Sequence, residues 1–208
     1  MFAALLAVTA VVALVDWVAV ATANRRLEYV FKPLTMVALI GATVALPDPA
    51  SSGARWWMVA GLVCSLAGDV FLMLDDLFVP GLASFLVGHL CYIVALALLG
   101  PSMPALAVGV VVVVLAAAVV GRIIVRGAGE HDRALTLPVT AYITAISVMV
   151  VTAIGTAIPF AIAGALLFYL SDACIGWSRF VKEFPHSRMA IITTYHLGQI
   201  GLVLALLG

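Results

Sequence analysis

The feature that most constrains this chain is a succession of apolar runs. At roughly 17–23 residues each, they are long enough to cross a hydrocarbon core ~30 Å thick. They fall at residues 2–21, 33–46 (short, unless it begins near Tyr29), 56–74, 79–99, 103–125, 134–154, 159–177 and 189–207. Pro and Gly punctuate many of the junctions, as in Pro47-Asp48-Pro49 and Gly100-Pro101. Hydrophobic residues make up 65% of the chain and charged residues 10%. A soluble domain of this size has no interior large enough for that much apolar surface. The fold class expected is therefore all-α: a polytopic membrane protein of about eight transmembrane helices, in a single domain spanning 1–208. The first run contains Asp16 and lacks a basic leader, so it reads as a retained helix rather than a cleaved signal.

Orientation follows from the basic residues, which concentrate in cytoplasmic connections. Of the ten Lys and Arg, only Arg55 falls on one side. Arg25, Arg26, Lys32, Arg122, Arg126, Arg133, Arg179, Lys182 and Arg188 share the other. With an even number of crossings, both termini are expected outside and the basic end in the cytoplasm. The expected location is the plasma (cytoplasmic) membrane. The zero net charge and the lack of a basic, aromatic-studded face point away from nucleic acid. Cys64, Cys91 and Cys174 lie inside apolar runs and read as small packing residues.

Against this background the intramembrane polar residues stand out. An ionised carboxylate at the bilayer centre costs at least ~2.5–3.5 kcal/mol, so Asp69 and Asp172 are expected to be paired, protonated or beside a wet cavity. Both lie a turn or two from the basic ends of their runs. His89, Tyr92, Tyr142, Tyr195, His196 and Gln199 fall within apolar runs too, and Lys32 and Asp16 lie near the same end. A cavity opening toward the cytoplasmic leaflet is expected. Asp75 and Asp76 read as a solvated helix end, and Trp56 and Trp57 as an interfacial belt. A weak internal similarity pairs Gly68-Asp69 and Phe85-x-x-x-His89-x-x-Tyr92 with Ser171-Asp172 and Tyr195-His196-x-x-Gln199. It suggests a 4+4 parallel pseudo-repeat, with halves 1–100 and 101–208.

No Gly-x-Ser-x-Gly, His-Glu-x-x-His or Gly-rich phosphate loop occurs. Instead, Lys32-Pro33-Leu34-Thr35, Gly68-Asp69, Phe85-Leu86-Val87-Gly88-His89-x-x-Tyr92, Tyr142, Gly164-Ala165-x-x-Phe168-x-x-Ser171-Asp172 and Tyr195-x-x-x-Gln199 occur in order along nearly the whole chain. This set resembles the YhhN family. The resemblance implies an eight-helix membrane enzyme that hydrolyses the vinyl ether bond of lysoplasmalogens, releasing a fatty aldehyde and glycerophosphoethanolamine or glycerophosphocholine.

The residue types suit that chemistry on their own account. A vinyl ether hydrolyses through protonation at carbon, capture of the oxocarbenium ion by water, and collapse of the hemiacetal. A carboxylic acid that keeps its proton near neutral pH, with a second carboxylate or base for water, is sufficient, much as in glycosidases. The expected catalytic set is Asp69, Asp172 and His89. The expected substrate-binding set is Lys32, Tyr92, Tyr142, Ser171, Tyr195 and Gln199. No cofactor or metal is required, and the expected partners are a lysophospholipid and the bilayer. Two other readings fit the same residues. One is a small proton-coupled transporter. The other is a metal-dependent lipid hydrolase with Asp69, His89, Asp172 and His196 as ligands.

Overall fold

A computed structural model describes residues 1–74 and 76–208. Asp75, half of the acidic helix end expected from the sequence, lies outside them; Asp76 is exposed. The chain forms α1 (Phe2–Ala21), α2 (Arg25–Val44), α3 (Ser52–Leu72), α4 (Phe78–Ala97), α5 (Met103–Ala116), α6 (Arg122–His131), α7 (Thr136–Gly155), α8 (Pro159–Phe180) and α9 (Ser187–Leu204). A π-helical turn, Ala117–Gly121, joins α5 to α6, so that Met103–His131 makes one long span. Eight helices are long and apolar enough to cross a membrane, and the described residues contain no strand. The protein is an all-helical, multi-pass membrane protein.

Two elements depart from the sequence expectation. The second span begins at Arg25, eight residues before the Pro taken to start it. Asn24 caps it, its Oδ1 accepting from the Leu27 N–H at 3.3 Å, and Pro33 sits inside the helix. The proline costs one i→i−4 bond, but the basic first turns lie at the end of the bundle, where polar surroundings tolerate them. Nor does the fifth span stop near residue 125. It continues to His131 because the π-turn re-phases its faces, turning Val120, Gly121 and Ile124 toward the core. Hydropathy is blind to a π-turn, since every residue in it is apolar or Gly.

Neither terminal helix strays from the bundle. The Ala50 N–H donates to Leu206 O at 2.8 Å, and Ser102 N–H to Gly155 O at 2.8 Å, tying together the end that carries Arg55. At the basic end, Arg188 pairs with Glu28 at 2.5 Å, and the Tyr29 hydroxyl donates to Met73 O at 2.6 Å. The exposed surface is rich in Val and Leu, from Val8 and Val11 to Val111, Leu115 and Leu170, as lipid contact demands.

The interior is organised by two intimate helix pairs, α3 with α4 and α8 with α9. Between helices in lipid, dispersion and close backbone approach replace the hydrophobic effect, so small residues mark the seams. A methyl at Gly164 would lie 2.6 Å from Leu202 N, and one at Gly198 2.8 Å from Phe168 N. In the other pair, Gly61 accepts the face of the Tyr92 ring and Gly68 that of Phe85. These seams bring Asp69 and Asp172, one on each pair, into the buried centre.

Candidate active site

Each carboxylate has one neighbour from the opposite helix pair and one from a flanking helix. Asp69, on α3, accepts from the Tyr195 hydroxyl of α9 at Oδ2, 2.6 Å, and pairs through Oδ1 with Lys32 Nζ of α2 at 3.1 Å. Asp172, on α8, accepts from the Tyr142 hydroxyl of α7 at Oδ2, 2.5 Å, and the same oxygen lies 3.6 Å from His89 Nε2 of α4. A third link joins the two pairs. The Tyr92 hydroxyl of α4 donates to Gln199 Oε1 of α9 at 2.7 Å and, its single proton thus used, accepts from Ser65 at 3.1 Å.

The two carboxylates differ in what remains free. Both Asp69 oxygens have partners, and the side chain is buried. Asp172 has no hydrogen bond to Oδ1 from the described residues, and it lines a cavity. The cavity and the open space before it together amount to about 730 Å³. Its walls are Leu72, Phe78, Leu82 and Phe85 on one side, and the π-turn, Ile124, Val139, Ile143 and Ile146 on the other. α8 runs along it from Tyr169 to Phe180. Besides Asp172, only the hydroxyls of Tyr142 and Tyr169 bring polar side-chain atoms to this lining.

His89 is wholly buried, and its tautomer follows from its partner. Nδ1 lies 2.7 Å from Phe85 O, and a carbonyl can only accept, so Nδ1 carries a proton. Nε2 then presents a lone pair toward Asp172 Oδ2 and has no hydrogen bond of its own. At 3.6 Å the two are too far apart for a hydrogen bond. Phe168 packs edge-on to Tyr195, with ring centroids 5.4 Å apart, and tilted against His89 at 4.9 Å. It is the apolar spacer between the Asp172 and Asp69 clusters.

The residues expected from sequence therefore separate into three groups. Asp172 and Tyr142 line the cavity, and His89 lies buried beside Asp172, outside that lining. Asp69, Lys32 and Tyr195 form a closed ion-pair cluster beside it, and Tyr92 and Gln199 form a buried bridge whose Gln199 Nε2 is unpartnered. Ser171 lies apart from all three: its hydroxyl donates to Ile191 O at 3.0 Å, a tie between α8 and α9. His196 accepts at Nδ1 from the Trp17 indole at 3.1 Å. Asp16 is buried, with neither carboxylate oxygen bonded by the described residues. Among the described residues no three His, Cys, Asp or Glu side chains converge in a way that would hold a metal ion. Asp69, His89, Asp172 and His196 are instead drawn to Lys32 and Tyr195, Phe85, Tyr142 and Trp17. Sequence reading missed the π-turn wall and the aromatic rim at Phe78 and Phe180. The isolated Gly121 in a Val-rich run was the only trace of the former.

Comparison with known proteins gives an independent line. A model described as the YhhN family matches residues 27–206. The chain is 33% identical over 157 residues to human lysoplasmalogenase TMEM86B, covering 76% of this chain and 66% of that protein. It is 36% identical over 166 residues to the lysoplasmalogenase of Mycobacterium tuberculosis (strain CDC 1551 / Oshkosh), covering 77% and 62%. The pig lysoplasmalogenase TMEM86B is 33% identical over 141 residues, covering 67% and 58%. The chain thus spans a little under two thirds of the length of these curated relatives. No solved structure matches it.

Proposed function

Because this chain belongs to the YhhN family, we propose that it is a lysoplasmalogenase, a membrane hydrolase that cleaves the vinyl ether bond of a 1-alkenyl glycerophospholipid. The observation that carries the reading is a carboxyl, Asp172, that lines an apolar cavity within a membrane-spanning bundle and has one oxygen, Oδ1, unbonded by the described residues. The kinship with proteins named lysoplasmalogenase supports the choice of bond.

In this mechanism the alkenyl group lies in the cavity with its outer vinylic carbon at Asp172 Oδ1. The carboxyl transfers its proton to that carbon. The π pair becomes the new C–H bond, the O–H pair stays on oxygen, and the ether carbon becomes an oxocarbenium ion. The carboxylate just formed lies against that cation in a low-dielectric site, where such electrostatic complementarity is strongest. Water attacks the cationic carbon and gives its proton to His89 Nε2 or to the carboxylate. The hemiacetal hydroxyl then loses its proton to the Asp172–His89 pair as its oxygen pair forms the carbonyl. The proton taken up from water passes to the glycerol oxygen as that C–O bond breaks, and alcohol and aldehyde depart. One water is consumed and the proton returns to the Asp172–His89 pair. Tyr142 orients the carboxyl through Oδ2, leaving Oδ1 to react.

Asp69 acts beside this centre as a fixed charge, its geometry set by Lys32 and Tyr195. Tyr92 and Gln199 hold α4 and α9 in register, and the free Gln199 amide is a candidate donor to the substrate's glycerol oxygens. Ser171 contributes by fixing α8. The reaction needs no cofactor. The proposed setting is the plasma membrane, with both termini outside and the cavity open to the cytoplasmic leaflet. Half-repeats 1–100 and 101–208 would each supply one of the two buried carboxylates, Asp69 and Asp172.

Purified protein incubated with a mixed lysophospholipid pool, vinyl ether species included, should release fatty aldehyde detectable by mass spectrometry. No aldehyde from a folded preparation would sink the reading; uptake of the intact lipid by proteoliposomes would favour a carrier. A reporter fused after Gly208 should be active outside the cytoplasm, and one near Gly127 inside it.

A further inference from the structure

Arg179 lies two turns beyond Asp172 on α8, and nothing in the proposed chemistry uses it. Seven residues is close to two full helical turns, so the two side chains leave the same face of α8, separated along the axis by about 10 Å. Ile175, Gly176 and Phe180, between or beside them, line the cavity, so this stretch of α8 forms its floor from Asp172 to the basic end of the bundle. There the rim is aromatic. Phe78 and Phe180 both line the cavity and meet edge to face, with ring centroids 6.0 Å apart. The Arg179 guanidinium lies 3.7 Å from the centre of the Phe78 ring and 5.9 Å from that of Phe180.

A guanidinium laid on an aromatic face is held in place while its N–H edge stays free, and that planar edge is suited to bidentate contact with phosphate oxygens. Among the described residues it forms no ion pair or hydrogen bond, and among the basic side chains it alone stacks on rings that line the cavity. The spacing matches the ligand. From the vinylic carbon that takes the proton to phosphorus, a 1-alkenyl glycerophospholipid has seven bonds, about 9 Å when extended at ordinary bond lengths of ~1.5 Å.

We infer that Arg179 is the phosphodiester-binding residue, fixing the substrate's head at the Phe78–Phe180 rim so that its vinyl ether falls at Asp172. This rests on the ether-hydrolase reading and adds a specificity determinant to it. The site measures the substrate from phosphate to vinyl ether.

The test compares two substrates, a 1-alkenyl glycerophosphoethanolamine and the corresponding 1-alkenylglycerol, which lacks phosphate. Arg179→Gln should lower the ratio of their kcat/KM values about 10- to 100-fold, the usual range for losing a hydrogen bond to a charged group, chiefly through KM. Arg179→Lys should recover part of it. Lys182→Gln, which removes an exposed charge from the same end that does not stack on Phe78 or Phe180, should keep the wild-type ratio. An unchanged ratio in Arg179→Gln, or an equal fall in Lys182→Gln, would overturn the assignment. If wild type turns over neither substrate, thermal stabilisation by ester lysophosphatidylethanolamine against monoacylglycerol reads the subsite alone. A phosphate-dependent shift abolished in Arg179→Gln would keep the subsite and discard the ether hydrolase. A shift indifferent to phosphate or to Arg179 would discard the subsite.

Discussion

Asp69 and Asp172 sit in comparable sequence contexts and at comparable depths, yet the structure gives them opposite surroundings. Asp69 has each oxygen engaged, by an ammonium and a phenol, and does not line the cavity that Asp172 lines. Asp172 has a phenol on one oxygen, an imidazole nearby, and its other oxygen open to apolar space. A fully bonded carboxylate is stabilised as it stands and has little to offer a substrate. A half-bonded one beside an unpartnered imidazole nitrogen can give up and recover a proton. The difference teaches that intramembrane carboxylates are told apart by the lone pairs left free rather than by burial.

The strongest way to break this comparison is to neutralise each carboxylate in turn. Asp172→Asn should lower kcat by ~10²–10⁴-fold, the usual worth of a general acid–base group, with little change in thermal stability. Near-normal turnover in a folded Asp172→Asn protein would end the mechanism. Asp69→Asn should act first on stability. It leaves the Lys32 ammonium without its partner, and breaking a buried ion pair in this way costs about 3–5 kcal/mol. Removing both charges in Lys32→Met/Asp69→Asn should recover much of that loss in a detergent melting series. If instead Asp69→Asn proves stable but inactive, the two carboxylates share the chemistry and the contrast drawn here fails.

Subtler substitutions sharpen the contrast. Without its imidazole, Asp172 loses its proton partner, so His89→Gln should reduce kcat by about 10²-fold, near the lower end for such groups. The cost of Tyr142→Phe should be smaller, about 10-fold in kcat, as for one hydrogen bond to a charged group. The mirror change on the closed side, Tyr195→Phe, should appear mainly as a lower melting temperature. Smallest is Tyr92→Phe, which strips the Gln199 bridge and should cost about 1 kcal/mol of stability, with kcat/KM within a few-fold of wild type. Equal kinetic effects from Tyr142→Phe and Tyr195→Phe would mean that both clusters touch substrate.

Much of this architecture is legible in the sequence. The first span, residues 2–21, could be read to the residue, because a run of apolar residues between polar turns leaves lipid as its only solvent. The even number of crossings and the nine-to-one division of Lys and Arg are also properties of the chain taken linearly. So is the rarity of polar residues inside the spans, which marked Asp69, His89, Asp172 and Tyr195 before any contact was known. Pro33 misled, since a proline is a helix breaker only on average, and the Asn24 cap was the better signal. The continuation of the fifth span past residue 125 was hidden for a different reason, because hydropathy carries no information about how a helix is wound.

By itself, then, the sequence determined what must be buried in lipid and which side chains would be costly there, because transfer energies belong to individual residues. It could not assign those side chains to one another. That Asp69 meets Lys32 and Tyr195, while Asp172 meets Tyr142 and His89, was decided by the glycine seams of α3 with α4 and of α8 with α9. So was the cavity, which exists only where the π-turn, α4, α7 and α8 fail to fill the space between them. Partnership and empty space are properties of several helices at once, and a hydrogen bond made or left unmade depends on ångströms that no periodicity encodes.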